Sequence, residues 1–584
     1  MQNQSALRTS QASVTRSNVA DLPRATGVKK MDEIVVRLRD GAPRFASLSL
    51  AERIELARSM QRGYLHIAER SVAAACHARG LPLELAGEQW ASGPSCVVRH
   101  LRLIIESLES IARTGNTRIG KVSRMRDGRL SVQVFPANGI DGMLFSGVTV
   151  DVRMQEGIGE NEMHAARARF YKEKPHNGRV ALILGAGNVD SIVSCDVVTK
   201  MFNEGKACIV KMNPVNAFLG PYLEEAYAEP IARGFLSIVY GGTEEGEYLV
   251  NHPGVDEVHL TGSDRTYDAI VWGPPGPERE RRKIKNERLV TKPVTAELGN
   301  VSPIIVAPGP YRRRELLFQA EEVAGQLVMG SSFYCCTGKV VITPKGWPQR
   351  EAFLAAIKET LSRAPQRTAY YPGARERFGK YTAGRPGLWT SGSQEGDRLP
   401  WAVAAHLDAG NTSDPAFSSE SFCPVLFETA VGSTDVEEFL ERAVSFANET
   451  LWGSLTATLI VHPKVQKDKA MGPLVERAIA RLEYGTVGVN GFPVMGFAFM
   501  TPPWGAYPGS SPADIQSGIG FVHNTPMLEG IEKAIMRNPL TTFPKPIYFP
   551  SHRSAVTVAR RLSALEERGS WAKVPGVIAA AMRC

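Results

Sequence analysis

Short segments of this 584-residue chain hold side chains suited to covalent or proton-transfer chemistry. Cys335-Cys336-Thr337-Gly338 follows the small polar pair Ser331-Ser332. A thiol becomes a nucleophile when it is accessible and its pKa is lowered, and the loop-like chain around it offers backbone N–H groups to an oxyanion. Glu297-Leu298-Gly299-Asn300 follows a β-branched stretch; a carboxylate beside a small-residue turn can act as a general base. Glu420 and Phe422 lie two apart where a strand is expected to start, and the pleat turns such a pair to one side. Gly185-Ala186-Gly187-Asn188 is a glycine turn that lets a backbone approach a ligand closely. Taken singly, these are equally a buried cysteine pair, a turn carboxylate, the start of a strand and a tight turn.

The elements that position them follow from hydrophobic pattern. An apolar run (179–187) ends in the glycine turn, and helical stretches separate it from strands at 207–213, 235–242 and 255–263. That alternation predicts βαβ units and a parallel sheet. A full dinucleotide fingerprint wants a third glycine at 190 and an acid at the end of the second strand. The chain has Asp190 and Lys211 instead, so a variant nucleotide-binding sheet is expected, with a cation suited to a ribose or a 2′-phosphate. A second α/β block runs from 293 to about 484. Residues 31–111 read as helices, and 128–157 as two long strands of a hairpin-like arm. The charged, Pro/Gly-marked stretch 273–288 reads as a solvated loop, and 526–584 as helix-rich.

Composition narrows the class. At 43% hydrophobic and 22% charged residues the chain is an ordinary globular protein. No apolar run approaches a membrane span. The net charge of +8 is mild over this length and accompanies no nucleic-acid motif. The 8 cysteines form no Cys-x-x-Cys pair and no zinc spacing, as expected of a reducing cytosol without a structural metal. Residues 1–30 read as a disordered tail; they lack a secretory core and have only a faint transit-peptide bias.

In this order and at these spacings, the motifs resemble the aldehyde dehydrogenase superfamily over about residues 31–525. Lys211 follows Asn188 by the family's 23 positions. Gly242 and Gly246 match its GxxxG helix start, and Thr261-Gly262-Ser263 its strand ending. Glu297-Leu298-Gly299, Ser302-Pro303, Cys335 with Gly338, Glu420 to Val425, Gly485-Thr486-Val487, Val489-Asn490 and Pro503-Trp504-Gly505 complete the series. The chain departs from the family at Ala186-Gly187 for Pro-Trp, Pro214 for the ribose-binding acid, and Phe333 for the Gln before the nucleophile. The glycine turn also looks like that of fatty acyl-CoA reductases of the bioluminescence type.

The resemblance implies an α/β fold. Its Rossmann-type nucleotide-binding domain comes from 31–127 and 158–296, and its catalytic domain from 297–484. An oligomerisation arm comes from 128–157 with 485–525, and a helical extension from 526–584. It implies NAD(P)-dependent oxidation of an aldehyde, in the cytoplasm, by a homodimer or homotetramer; an unpaired arm edge would need a second subunit to cover it. Cys335 would be the nucleophile, Asn188 the oxyanion donor and Glu297 the base. Lys211, Gly242, Gly246, Thr261, Gly262, Ser263, Leu298, Glu420 and Phe422 would hold NAD or NADP, and no metal is needed. An acyl-CoA reductase or CoA-acylating enzyme is the alternative, which Glu297 in its Glu-Leu-Gly context disfavours. A non-catalytic scaffold is the second alternative, and it would be expected to lack Cys335, Glu297 or Asn188.

Overall fold

A computed structural model describes residues 22–173 and 176–584, so most of the expected N-terminal tail lies outside the described residues. The first helix, Val28–Ala46, already begins inside the 1–30 segment. Two further long helices, Leu50–Ala78 and Cys96–Thr114, follow. The first of these starts at a reciprocal cap between Ser49 and Glu52, which satisfies two backbone donors that a helix start leaves free.

A six-stranded sheet forms the first layer system. From one edge its strands are Gly518–Ile519, Val294–Leu298, Glu257–Gly262, Val180–Leu184, Ala207–Lys211 and Leu236–Val239. Only the Gly518–Ile519 strand runs antiparallel. Every residue of Val180–Leu184 and Ala207–Lys211 is buried. This is why they read as continuous apolar runs: a parallel sheet is covered on both faces. Strand order reverses between Val180–Leu184 and Glu257–Gly262, and ligands of open α/β sheets bind beyond the carboxyl ends of strands at such a switch.

The second sheet has eleven strands. Its parallel centre runs Ile531–Arg537, Thr486–Val489, Thr456–Ile460, Ser302–Val306, Gly338–Pro344, Val425–Val431 and Trp401–Leu407. The short Trp389–Ser391 strand closes one side. On the other side lie Thr149–Met154, Leu130–Phe135 and Val122–Arg124, all antiparallel.

Several expectations are corrected here. Residues 128–157 are two six-residue strands separated by a helix, Gly139–Leu144. The Asn138 side chain accepts from the Asp141 backbone N–H, so the Asn/Gly break caps a helix instead of making a hairpin turn. This arm is paired on both long strands within the chain, so an unpaired edge gives no argument for a second subunit. The helix-rich extension contains the Ile531–Arg537 strand, which pairs Thr149–Met154 on one side and Thr486–Val489 on the other. The 273–288 stretch is not a loop throughout: Pro277–Lys285 is a helix. Proline sits in its first turn with Glu278 and Glu280, and Arg282, Lys283 and Lys285 in its last, which suits the helix dipole.

Candidate active site

The site lies between the two sheets, where the ends of several strands meet the loop before Gly338. Gly185 and Gly187 follow the Val180–Leu184 strand, and space there is short. A Cβ on Gly185 would lie 2.7 Å from Val193, and one on Gly187 would lie 2.8 Å from Asn213 Oδ1 and 3.1 Å from the Tyr371 hydroxyl. Gly187, which stands where a larger residue was expected, is thus closely approached by Asn213 and Tyr371. The turn delivers Asn188, whose Nδ2 donates to the Phe333 carbonyl at 2.8 Å. The amide thus reaches the loop that carries Cys335, two residues on.

That loop is strained and held from several sides. Gly330, Ser331 and Ser332 have successive φ of 60°, 54° and 69°, the left-handed region that non-glycine residues avoid. Glu88 Oε1 accepts from the Gly330 N–H at 2.8 Å and from the Tyr334 hydroxyl at 3.0 Å. Lys339 Nζ donates to Ser332 Oγ at 2.5 Å and to the Cys423 carbonyl at 3.0 Å; burial lowers its pKa to about 8. Cys335 is half-buried, whereas Cys336 is buried.

The Cys335 thiol donates to Glu297 Oε1 at 3.4 Å, and the same oxygen accepts from Trp504 Nε1 at 3.0 Å. Burial pushes the Glu297 carboxyl up to about 7; the Trp504 bond opposes this and the Asp196 charge adds to it. The Cys335 thiol is held well above its ordinary pKa by its hydrogen bond with Cys336, by burial and by the Glu297 charge. In the free protein the proton therefore sits on sulfur, hydrogen-bonded to the carboxylate that would receive it.

The predicted cofactor residues fall into two groups. Lys211 ends the Ala207–Lys211 strand and is buried, which lowers its pKa, while the Glu245 carboxylate raises it. Gly246 stands against it: a Cβ there would lie 4.0 Å from Lys211 Cε. The Gly242 N–H donates to Glu245 Oε2 at 2.6 Å, at the start of the Thr243–Asn251 helix. Gly262 ends the Glu257–Gly262 strand, and Ser263, directly after it, caps the Asp264–Trp272 helix. Thr261 is not turned toward a ligand: its hydroxyl donates to buried Asp196 at 3.4 Å. Leu298 is buried and its N–H is taken by the Ser517 carbonyl at 2.9 Å.

Glu420 and Phe422 form the second group. They precede the Val425–Val431 strand instead of lying on it, and Phe422 is left-handed with φ 41°. Their common side therefore comes from loop conformation, not from a pleat. The Phe422 ring lies 4.9 Å from Tyr371 and 5.5 Å from Phe333, with the Arg377 guanidinium over it at 5.6 Å. Glu420 packs on Gly299, where a Cβ would come 2.2 Å from Oε2. Burial lifts its pKa to about 8, and its Oε1 is a buried acceptor without a partner. An unpartnered carboxylate oxygen on one side and a buried lysine at the end of the strand beside Val180–Leu184 on the other suit the two ends of a hydroxyl-rich dinucleotide.

The sequence reading assigned no role to Trp504, Lys339, Tyr370 or Tyr371. Trp504 lay in a matched motif without an assigned partner. Tyr370 and Tyr371 come from a loop with no signal: the Tyr370 hydroxyl donates to the Asn188 carbonyl at 3.1 Å.

Comparison with known proteins agrees with this arrangement. The sequence model of the aldehyde dehydrogenase family matches residues 149–368. Residues 149–368 are an aldehyde dehydrogenase family region. It is 28% identical over 302 residues to the geranial dehydrogenase of Castellaniella defragrans, an alignment that covers 49% of this chain and 56% of that protein. It is 34% identical over 103 residues to the human 4-trimethylaminobutyraldehyde dehydrogenase, 18% of each. The chain thus spans about half the length, or less, of these curated superfamily members. Among solved structures it shares the fold of the NADP-dependent glyceraldehyde-3-phosphate dehydrogenase of Bacillus halodurans, solved with NADP. The TM-score is 0.60 at 18% identity, covering 88% of this chain and 92% of that one.

Proposed function

We propose that this protein oxidises an aldehyde to a carboxylic acid with NAD or NADP, through a thioester on Cys335. The observation that carries the reading is the 3.4 Å contact of the Cys335 thiol with Glu297, on a loop that the Asn188 amide also touches. Cys335 Sγ attacks the carbonyl carbon as its proton passes to Glu297 Oε1. The Asn188 amide and the Cys335 backbone N–H hold the oxyanion, and a donor in such a place lowers the barrier by about 2.7–4 kcal/mol. A nicotinamide bound here supplies the hydride acceptor. Lys211 and Glu420 would hold the cofactor's two riboses, Gly242, Gly246, Gly262 and Ser263 would contribute to its binding, and Phe422 would pack near the nicotinamide ribose. Thr261 and Leu298 support the site from behind. Glu297 then takes a proton from the water that opens the thioester.

The presence of Glu297 at the thiol favours water over coenzyme A as acyl acceptor. For the assembly we retain a homodimer or homotetramer on the resemblance alone. Among the described residues no helix is long and apolar enough to cross a membrane, and a cytoplasmic location remains our reading from cysteine usage.

Rapid mixing with an aldehyde and NAD(P) tests the reading. Cys335→Ala should show neither burst nor turnover, and Cys336→Ala should keep much of both. Glu297→Gln should still give one burst of reduced nicotinamide per site, formed more slowly because Gln cannot take the thiol proton, with little turnover after it. Full turnover of Glu297→Gln on adding coenzyme A, with poor acid formation by wild type, would overturn the hydrolytic reading in favour of acyl transfer to coenzyme A.

A further inference from the structure

Glu297 faces Cys335 with one oxygen; its other oxygen, Oε2, is buried and has no hydrogen-bond partner. Behind it lies a cavity of about 280 Å³, lined by Glu297, His259, Thr295 and Trp504 and reaching the surface at Pro293 and Gly520. Strand register builds this cavity. In the parallel pair Glu257–Gly262 and Val294–Leu298, His259 lies opposite Thr295 and Thr261 opposite Glu297. Side chains two apart share a face, so one face of the sheet bears an unbroken polar row beneath the carboxylate.

His259 is 3% exposed. Its Nδ1 pairs with Thr295 Oγ1 at 2.9 Å, while its Nε2 faces Asp196 Oδ1 at 3.6 Å, beyond a direct hydrogen bond. Both of those last atoms are also buried without partners. The outer wall is an ion network in which Lys200 and Lys206 each meet both Glu204 and Glu257. A cavity of this size has room for several waters; its wall is largely apolar, from Val258, Ala296, Phe521 and Val522, with Glu297, His259, Thr295 and the ion network as the polar partners set into it.

The chemistry needs such a path. When Cys335 adds to an aldehyde, its proton goes to Glu297, and loss of hydride leaves a thioester. A protonated Glu297 cannot deprotonate water, so that proton must leave first. The next proton, taken from water as the C–O bond forms and the C–S bond breaks, returns to the leaving sulfur, and the product acid ionises on its own. One proton per turnover therefore has to exit from Glu297 between the two half-reactions.

We propose that this proton leaves through the cavity behind Glu297, relayed by water to the His259–Asp196 pair and out past the Lys200–Glu257 network. The inference rests on the hydrolytic reading above. His259 acts through Glu297, not on the substrate, so its loss should spare acylation and hydride transfer and slow the hydrolytic cycle.

The experiment is burst and steady-state kinetics of His259→Ala and Asp196→Asn, with and without added imidazole. For His259→Ala the expected result is a burst of normal amplitude, turnover lowered by at least about tenfold, and partial recovery with imidazole, which fits the vacated space. Asp196→Asn should slow turnover in the same way without imidazole recovery. Turnover of both variants within twofold of wild type overturns the proposal. So does joint loss of burst and turnover without rescue, which marks a purely structural role. Failure of the parent reading looks different: wild type itself then forms no acid without coenzyme A, whatever His259 does.

Discussion

Glu297 is the residue on which pH should act. Burial takes its pKa from the ordinary 4.5 up to about 7. Only the ionised form can accept a proton, so hydrolytic turnover should fall about tenfold per pH unit below 7 and level off above 8. Stability carries the same signature with a fixed sign. The folded protein binds the Glu297 proton more tightly than the unfolded chain does. The favourable contribution of the protonated form is complete below pH 4.5 and is lost as pH rises through 7. Glu297→Gln cannot ionise and keeps an oxygen for Trp504. Its melting temperature should exceed that of wild type above pH 7, by the equivalent of up to roughly 3 kcal/mol, and converge with it near pH 4.5. Equal pH profiles for the two proteins would place Glu297 in bulk water instead of in the buried site described here.

The elements that hold these residues were legible to different degrees. The strand ends were: Gly185 to Asn188 and Lys211 each close a continuous apolar run, which a parallel sheet covers on both faces, and Thr261 to Ser263 and Glu297 follow shorter β-branched segments with polar residues among them. The Ile531–Arg537 strand was not. Its Glu532 and Lys533 read as solvent-facing, yet both are buried. Glu532 is neutralised by Arg153 and Arg129, and Lys533 by carbonyls at the end of the Met471–Arg481 helix. Partners so distant in sequence give no local signal. Tyr370 and Tyr371, reaching the Asn188 turn from a loop, were hidden for the same reason. Where the second strand ends, local signal is enough for a prediction. Pro214 opens the short helix Pro214–Leu219, and the Asn213 side chain caps it by accepting from Val215 N–H at 3.0 Å. Position 214 itself carries no carboxylate to repel a 2′-phosphate, and Lys211 would attract one, with Glu245 as the nearby opposing charge. NADP should be accepted alongside NAD in matched kinetic assays; inert NADP at high concentration would count against this placement of Lys211.

At the scale of the whole molecule, the C-terminal segment is tied by buried charges to the segment that leads to Trp504 and Glu297. Arg99 lies on the Cys96–Thr114 helix, pairs with both oxygens of Asp141, and reaches Glu566 Oε1 at 2.8 Å. Arg102, one turn on, takes Glu566 Oε2 at 2.6 Å. All four groups are buried. Arg99 Nε also donates to the Phe499 carbonyl at 3.0 Å, in the segment that leads to Trp504 and so to Glu297. Removing one partner of a buried ion network leaves an uncompensated charge and costs about 3–5 kcal/mol when nothing else pairs with it. Here Arg99 keeps Asp141, and Arg102 keeps half-exposed Glu106, which places the expected loss at or below the lower end of that range. Glu566→Ala should therefore lower the denaturation midpoint clearly, whereas Lys573→Ala, on the exposed side of the same extension, should leave it nearly unchanged. The sharper expectation is functional. If the extension steadies Trp504 through Arg99 and Phe499, the folded Glu566→Ala protein should keep its burst and lose turnover, as a displaced Glu297 would cause. A variant destabilised but kinetically normal would confine the extension to stability alone.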